Sequence, residues 1–338
     1  MNSRDRIIGV YTRRANAALA HYPLPAGATA RLISLSENAT FVVEAERPLA
    51  ILRIYLSNAG RVAAIRSELA WIEALRTDKA VDTPAIIKTL GDDVIAQFEA
   101  DGGSQVCALF EYIPGAEITG HSPETYQTVG RIAAQIHQHS SRWRIPADFS
   151  RRTWDLDSIL GDGAEWGDWR NGPGLDGENG KLLERTEAVI RRRLANYTVE
   201  APRGGLVHCD LRAANLMVGS DRRIWAIDFD DCGFSWFLWD LCSTTTFIEH
   251  LPEIDDVVRA WLAGYKSVRS IGDADLAVVP DLVMLRRLHI FAWLGSHPDS
   301  DLAHSLKDSY CSATCDVARK YLGGAFLRNN AEVERSLI

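Results

Sequence analysis

The sequence predicts an α+β fold in two lobes, a small antiparallel sheet followed by a larger, mainly helical region. Three observations predict it. Short apolar runs separated by turn residues fill the chain as far as residue 113. Pro114-Gly115 then stops the last run, and beyond it the apolar spacing changes to that of helices. Inside the helical region a single stretch, Gly204 to Leu241, reads as strand, loop, strand, loop, and its loops carry Asp210, Asn215, Asp228 and Asp230. The division so drawn is residues 1–113 and 114–338.

A chain of 338 residues suffices for one large domain or two lobes. The net charge of −8 argues against a nucleic-acid partner, which calls for a basic face. The six cysteines form no CxxC pair, so free thiols in a reducing cytosol are expected. MNSRDRIIGVYTRR lacks an apolar signal core and no run of 18 apolar residues occurs, which excludes a membrane-spanning helix and leads us to expect a soluble, cytoplasmic protein. Nothing in the sequence indicates an oligomeric state.

Residues 4–22 alternate in a helical way up to Pro23 and Pro25. Strand-like runs follow at Arg31 to Leu35, Phe41 to Ala45 and Leu49 to Tyr55, the first two joined by the turn-rich Ser36-Glu37-Asn38-Ala39-Thr40. The third run carries a lone cation, Arg53, on the face of Ile51 and Tyr55, where a charge is costly unless it is paired or meets a ligand. The next helix shows Val62, Ile65, Leu69 and Ile72 at helical spacing, with Glu68 beside that stripe as the candidate partner. Val94 to Phe98 and Val106 to Ile113 complete a predicted five-stranded sheet with one helix.

After Pro114-Gly115, Ser122-Pro123-Glu124 starts a helix with serine as cap and proline in the first turn. Residues 151–180, with Trp154 and Asp155, form an insertion too long for a plain connection. Lys181 to Leu194 is an amphipathic helix, and three more helices are expected at 253–269, 281–295 and 300–322. Eight of the ten tryptophans lie at or after residue 154; their faces would either pack a core or receive a cationic ligand. Arg286 and Arg287, inside an apolar helix, would either meet a substrate or reach the surface.

The order His208-Cys209-Asp210, Asn215, an apolar strand, then Asp228-Phe229-Asp230 has the spacing of a kinase catalytic loop and metal-binding aspartate. Phosphoryl transfer from ATP needs such a set: a carboxylate to orient the attacking hydroxyl, and a carboxamide and a second carboxylate to hold Mg²⁺ on the phosphates. Each residue alone would as readily cap a turn. All three at this spacing between apolar strands favour the chemical reading.

HCDLRAANLMV followed by IDFDDCGFSWFLWDL resembles the aminoglycoside phosphotransferase/choline kinase family. Type II homoserine kinases and bacterial stress-response kinases share the pattern. The resemblance covers most of the chain and is weaker in the N-terminal third; Cys209 stands where the family usually has glycine. It implies a two-lobed protein-kinase-like fold, with ATP and Mg²⁺ as cofactors and a small-molecule hydroxyl as acceptor. It further implies Asp210 as base, Arg212 as a cation for the migrating phosphoryl group, and Asn215, Asp228 and Asp230 at the metal. Arg53, held by Glu68, would bind phosphates beneath the turn carrying Ser36 and Asn38. The main chain of Glu111, Tyr112 and Ile113 would bind adenine. His208 and Asp240 would support the catalytic loop, and Trp154, Asp155, Arg286 and Arg287 are candidates for the acceptor. A Ser/Thr protein kinase and a non-catalytic ATP-binding scaffold remain open. Only eleven residues separate Asp228 from Asp240 and no A-P-E follows, which leaves little platform for a peptide and favours a compact acceptor.

Overall fold

The computed structural model describes residues 3–35, 37–56, 61–101, 103–118 and 122–327, with backbone alone for residues 3–5. Ser36 lies outside the described residues, so its expected contact with phosphate has no structural counterpart here. The chain forms two compact units. The first takes in residues 1–116, 145–151 and 217–230, and the second 117–144, 152–216 and 231–338.

In the first unit, helix α1 (Ser3–Ala18) leads to strands β1 (Thr29–Leu35), β2 (Asn38–Glu44) and β3 (Pro48–Tyr55), helix α2 (Val62–Thr77), and strands β4 (Ile86–Ile87), β5 (Ala96–Ala100) and β6 (Gly103–Glu111). The sheet is antiparallel, in the order β1-β2-β3-β6-β4, with β5 also on β6. It therefore has six strands where the sequence predicts five. The extra one, β4, is two residues long, too short to leave a periodic signal. Alternation along β3 sends Ala50, Leu52 and Ile54 into a core with Ala15, Ala18, Leu19 and Tyr22. The opposite face of β3 carries Ile51, Arg53 and Tyr55.

The expected division at residue 113 and the observed units differ because the hairpin of β9 (Leu216–Gly219) and β10 (Ile224–Ala226) makes its tertiary contacts in the first unit. The Ala226 amide donates to the Asp82 carbonyl at 2.9 Å, and Phe229 packs edge-on against Trp71 at 5.5 Å. Such long-range pairings carry no periodic signature.

The second unit holds α3 (Pro123–Ser140), α4 (Leu156–Leu160), α5 (Gly177–Leu194), β8 (Gly204–Val207), β11 (Gly233–Trp236), α6 (Trp239–Thr244), α7 (Ile254–Lys266), α8 (Asp273–Ala277), α9 (Val279–Ser296), α10 (Asp301–Leu306) and α11 (Tyr310–Leu322); β7 (Gly115–Glu117) lies at the boundary between the units. Ser122 caps α3 by accepting the Thr125 amide. Gly130 on α3 and Gly264 on α7 let the two backbones close up, since a Cβ on either would collide with the other helix. The helix expected over 300–322 is two, α10 and α11, and that over 253–269 ends at Lys266 before the separate α8. Helix α9 is apolar nearly all round and buried along most of its length, which makes it the centre of this unit. No helix among the described residues is long and apolar enough to cross a membrane.

Candidate active site

In the second unit the loop after β8 gathers around Asp210. Asn215 donates from Nδ2 to both the Asp210 carbonyl and its Oδ2, at 2.8 Å each. Arg212 Nε lies 3.1 Å from each carboxylate oxygen. Arg286, from the middle of α9, donates from Nη2 to Oδ1 at 3.1 Å. One carboxylate is thus oriented by an amide and two guanidiniums, and an amide whose nitrogen is so engaged keeps Oδ1 as an acceptor.

The loop is held from behind by Asp240, wholly buried at the start of α6, which accepts the amides of His208 at 3.2 Å and Cys209 at 2.7 Å. His137 of α3 completes the brace, with Nε2 2.9 Å from Asp240 and Nδ1 3.0 Å from the Tyr265 hydroxyl on α7. Burial alone would push the Asp240 carboxyl up, but His137, His208 and the Cys209 amide more than offset it and hold it below its ordinary value. Burial holds the His137 imidazole below its usual range, with Asp240 opposing. The His208 ring accepts the Asp210 amide from Nδ1 at 3.3 Å. Cys209 adopts φ +68°, a left-handed conformation natural to glycine and uncommon for other residues. Its two flanking bonds to Asp240 offset the strain.

Arg286 is nearly inaccessible. Its guanidinium lies over Trp166 at 5.5 Å and Trp239 at 5.7 Å, and its Nε donates to Thr246 Oγ1 at 3.3 Å. His289, one turn further along α9, stacks on Trp166 at 3.9 Å and is wholly buried, with its basicity strongly depressed by burial and by Arg286 and Arg152. Trp154 carries the Arg152 guanidinium at 5.0 Å and donates from Nε1 to the Asp231 carbonyl. Trp154, Trp166 and Trp239 thus meet protein cations, and Trp166 also stacks on His289. Asp155 caps α4 through the Ser158 amide, and Arg287 forms a buried ion pair with Glu249 at 2.6 Å and a hydrogen bond to Thr314. These are the bonds of a helix cap and of a core pair.

In the first unit Arg53 sits between two carboxylates. Nη1 donates to Glu68 Oε1 at 3.0 Å and Nη2 to Asp228 Oδ1 at 2.8 Å. Glu68 is fully buried on α2, and burial pushes its carboxyl up to about 7 against the attraction of Arg53. Asp228 adopts φ +65° and leaves about half its side chain exposed. Asp230, two residues on, is buried and bonded to Asn38.

At the end of β6 the Glu111 amide is already bonded to the Ala85 carbonyl and its side chain accepts the Ala85 amide. Among the described residues the main-chain amides of Tyr112 and Ile113 make no hydrogen bond. Two of the three expected adenine contacts therefore retain free donors.

Hard oxygen donors suit Mg²⁺, which is typically held by one or two carboxylates together with substrate phosphates. The half-exposed Asp228 fits that demand. Among the described residues no three His, Cys, Asp or Glu side chains gather into a dedicated metal cage.

A small antiparallel sheet with a buried Arg–Glu pair, and a helical unit presenting an aspartate oriented by an asparagine five residues on, are the components of an ATP-dependent kinase. Residues 29–271 match the model of the phosphotransferase enzyme family (APH), and the chain belongs to that family. It is a small-molecule phosphotransferase with a hydroxyl acceptor. The structure of a microcompartment-associated aminopropanol kinase is 38% identical, with a TM-score of 0.86 over 94% of this chain and 99% of the other. The amicoumacin kinase of Bacillus subtilis is 22% identical over 281 residues, 78% of this chain and 79% of its own. A structure of the amicoumacin kinase hAmiN with AMP-PNP and Ca²⁺ shares the fold, at 20% identity and a TM-score of 0.73 over 97% of each chain.

The sequence reading took His137 as packed or solvated, assigned no role to Thr246, and placed Arg286 only among the acceptor candidates. A charged residue inside an apolar helix was the one available signal for Arg286; the others carried none.

Proposed function

We propose that the protein transfers the γ-phosphoryl group of ATP to the hydroxyl of a short amino alcohol of the aminopropanol type. The observation that carries the chemistry is the Asp210 carboxylate, oriented by Asn215, Arg212 and Arg286. The acceptor oxygen forms a bond to the γ-phosphorus as the bond to the β–γ bridging oxygen breaks. The hydroxyl proton passes to Asp210 and ADP leaves. Arg212 faces the charge on the migrating group. Arg53, fixed by Glu68, binds the phosphates, and the amides of Tyr112 and Ile113 bind adenine. Mg²⁺ would neutralise charge on the β- and γ-phosphates, and Asp228 in the first unit and the Asn215 carboxamide oxygen in the second are each candidate protein ligands for it.

The choice of acceptor is supported by the 38% identity to the aminopropanol kinase across nearly the whole chain. The test is ATP turnover by the full chain with 1-amino-2-propanol, ethanolamine, choline, homoserine, a hexose and an aminoglycoside. The highest kcat/KM is expected for the short amino alcohols. A higher value for any of the other four would overturn the acceptor while leaving the phosphotransferase chemistry in place.

A further inference from the structure

The two aspartates of Asp228-Phe229-Asp230 lie in opposite environments. Asp228 is half exposed, whereas Asp230 is 6% exposed. Its Oδ2 accepts from Asn38 Nδ2 at 3.1 Å, at the start of β2. Its Oδ1 faces Arg61 Nη2 at 3.5 Å, near enough to pair but too far for a hydrogen bond. Arg61 is the N-cap residue of α2. Arg151 donates from Nη2 to the Asp230 carbonyl and from Nη1 to the Ala64 carbonyl in the first turn of α2, at 3.1 Å for the latter.

A divalent cation on the Asp230 carboxylate would have to displace Arg61 from the oxygen that Asn38 leaves over, close to the Arg151 guanidinium on the Asp230 carbonyl. Coulomb repulsion between like charges a few ångströms apart in a buried site disfavours that arrangement. Among the described residues Asp228 pairs with one guanidinium, Arg53, and about half of its side chain is exposed.

We infer that Asp230 is a positioning residue and not a metal ligand: with Asn38 and Arg61 it latches the start of β2 and the start of α2 to the loop that carries Asp228. The latch joins residues 192 apart in sequence, and all its members belong to the first unit. It sets how near the start of β2 stands to bound phosphates. The inference rests on the nucleotide reading of this unit given above.

The test uses the full chain and two readouts: calorimetric binding of AMP-PNP with Mg²⁺, and the Mg²⁺ concentration for half-maximal turnover at saturating ATP. Asn38→Ala should weaken AMP-PNP binding roughly tenfold or more, the size of one lost hydrogen bond to a charged group, and Asp230→Asn, which keeps an acceptor for Asn38 but loses the charge facing Arg61, should weaken it less, each with the Mg²⁺ requirement within about twofold of wild type. Asp228→Asn should raise that requirement. The exchange Asn38→Asp/Asp230→Asn returns a donor and an acceptor to the same pair and should recover some of the lost affinity, which general loosening of the fold would not do. Asn38→Ser, a milder change, gives the same readouts if a harsher variant does not fold. An Mg²⁺ requirement raised in Asp230→Asn as much as in Asp228→Asn would overturn the inference, as would unchanged AMP-PNP affinity in the Asn38 variants. Absence of AMP-PNP binding by the wild-type chain would instead sink the nucleotide reading itself.

Discussion

Arg286 donates from Nη2 to Oδ1 of Asp210 at 3.1 Å, across 76 residues of sequence, and its guanidinium is sandwiched in a wall of tryptophans. The carboxylate assigned as base is therefore positioned by the core of the helical unit as well as by its own loop. Arg286→Gln should lower kcat roughly tenfold or more while leaving the KM for ATP within about twofold. Arg286→Lys keeps a charge but loses the planar stacking and the fixed fork of donors, so it should fall between. Steady-state kinetics at saturating ATP separates these; an unchanged kcat in Arg286→Gln would reduce the residue to a packing role.

Asp210→Asn should abolish turnover, by about 10²–10⁴ for loss of a general base, with little effect on nucleotide affinity. Asp228→Asn should weaken binding of the metal–nucleotide complex as well. Calorimetry with AMP-PNP and Mg²⁺ distinguishes the two, and equal losses of affinity would contradict this division of roles.

Arg53→Ala should raise the KM for ATP and leave two carboxylates unpaired, whereas Arg53→Lys should retain some of the activity. Glu68 adds a pH dependence whose sign follows from its raised value. Its carboxyl titrates near 7 in the folded chain and near 4.5 when unfolded. The folded state therefore binds the extra proton between those values, and stability from this group is fully present below about 4.5 and lost as pH rises through about 7. Glu68→Gln removes that term, so the variant should gain on wild type with rising pH across the window, by about 1–3 kcal/mol, and hold a constant gap above it. Urea denaturation at pH 5, 6, 7 and 8 measures the gap; a gap independent of pH would place the titration elsewhere.

Cys209 holds φ +68° with its amide bonded to Asp240. Cys209→Gly relieves about 1 kcal/mol of backbone strain and loses the buried thiol, so stability and kcat should stay close to wild type. Cys209→Val places a β-branched residue in the left-handed region and should lower both. Thermal melts of the two variants, read beside their kcat, check the order; a more active Val variant would show that the loop backbone is not under strain.

The groups nearest the chemistry were legible in the sequence because their geometry is local. Asn215 bonds Asp210 five residues away and Arg212 two residues away, so spacing alone specifies the constellation. Alternation along β3 likewise put Arg53 on the face of Ile51 and Tyr55, and the serine and proline at 122–123 marked the start of α3. Tertiary structure alone decided what those groups meet. The partners that brace Asp240, His137 and Arg286 lie 31 to 128 residues away, and Asp228 meets Arg53 across 175. It also decided which aspartate of Asp228-Phe229-Asp230 faces solvent, because a two-residue step in an irregular loop has no fixed side. It added β4, whose pairing with β6 spans only two residues, and drew the 217–230 hairpin into the first unit. Local propensity and spacing act within a few residues. Burial and charge pairing between distant segments exist only once the chain has closed on itself.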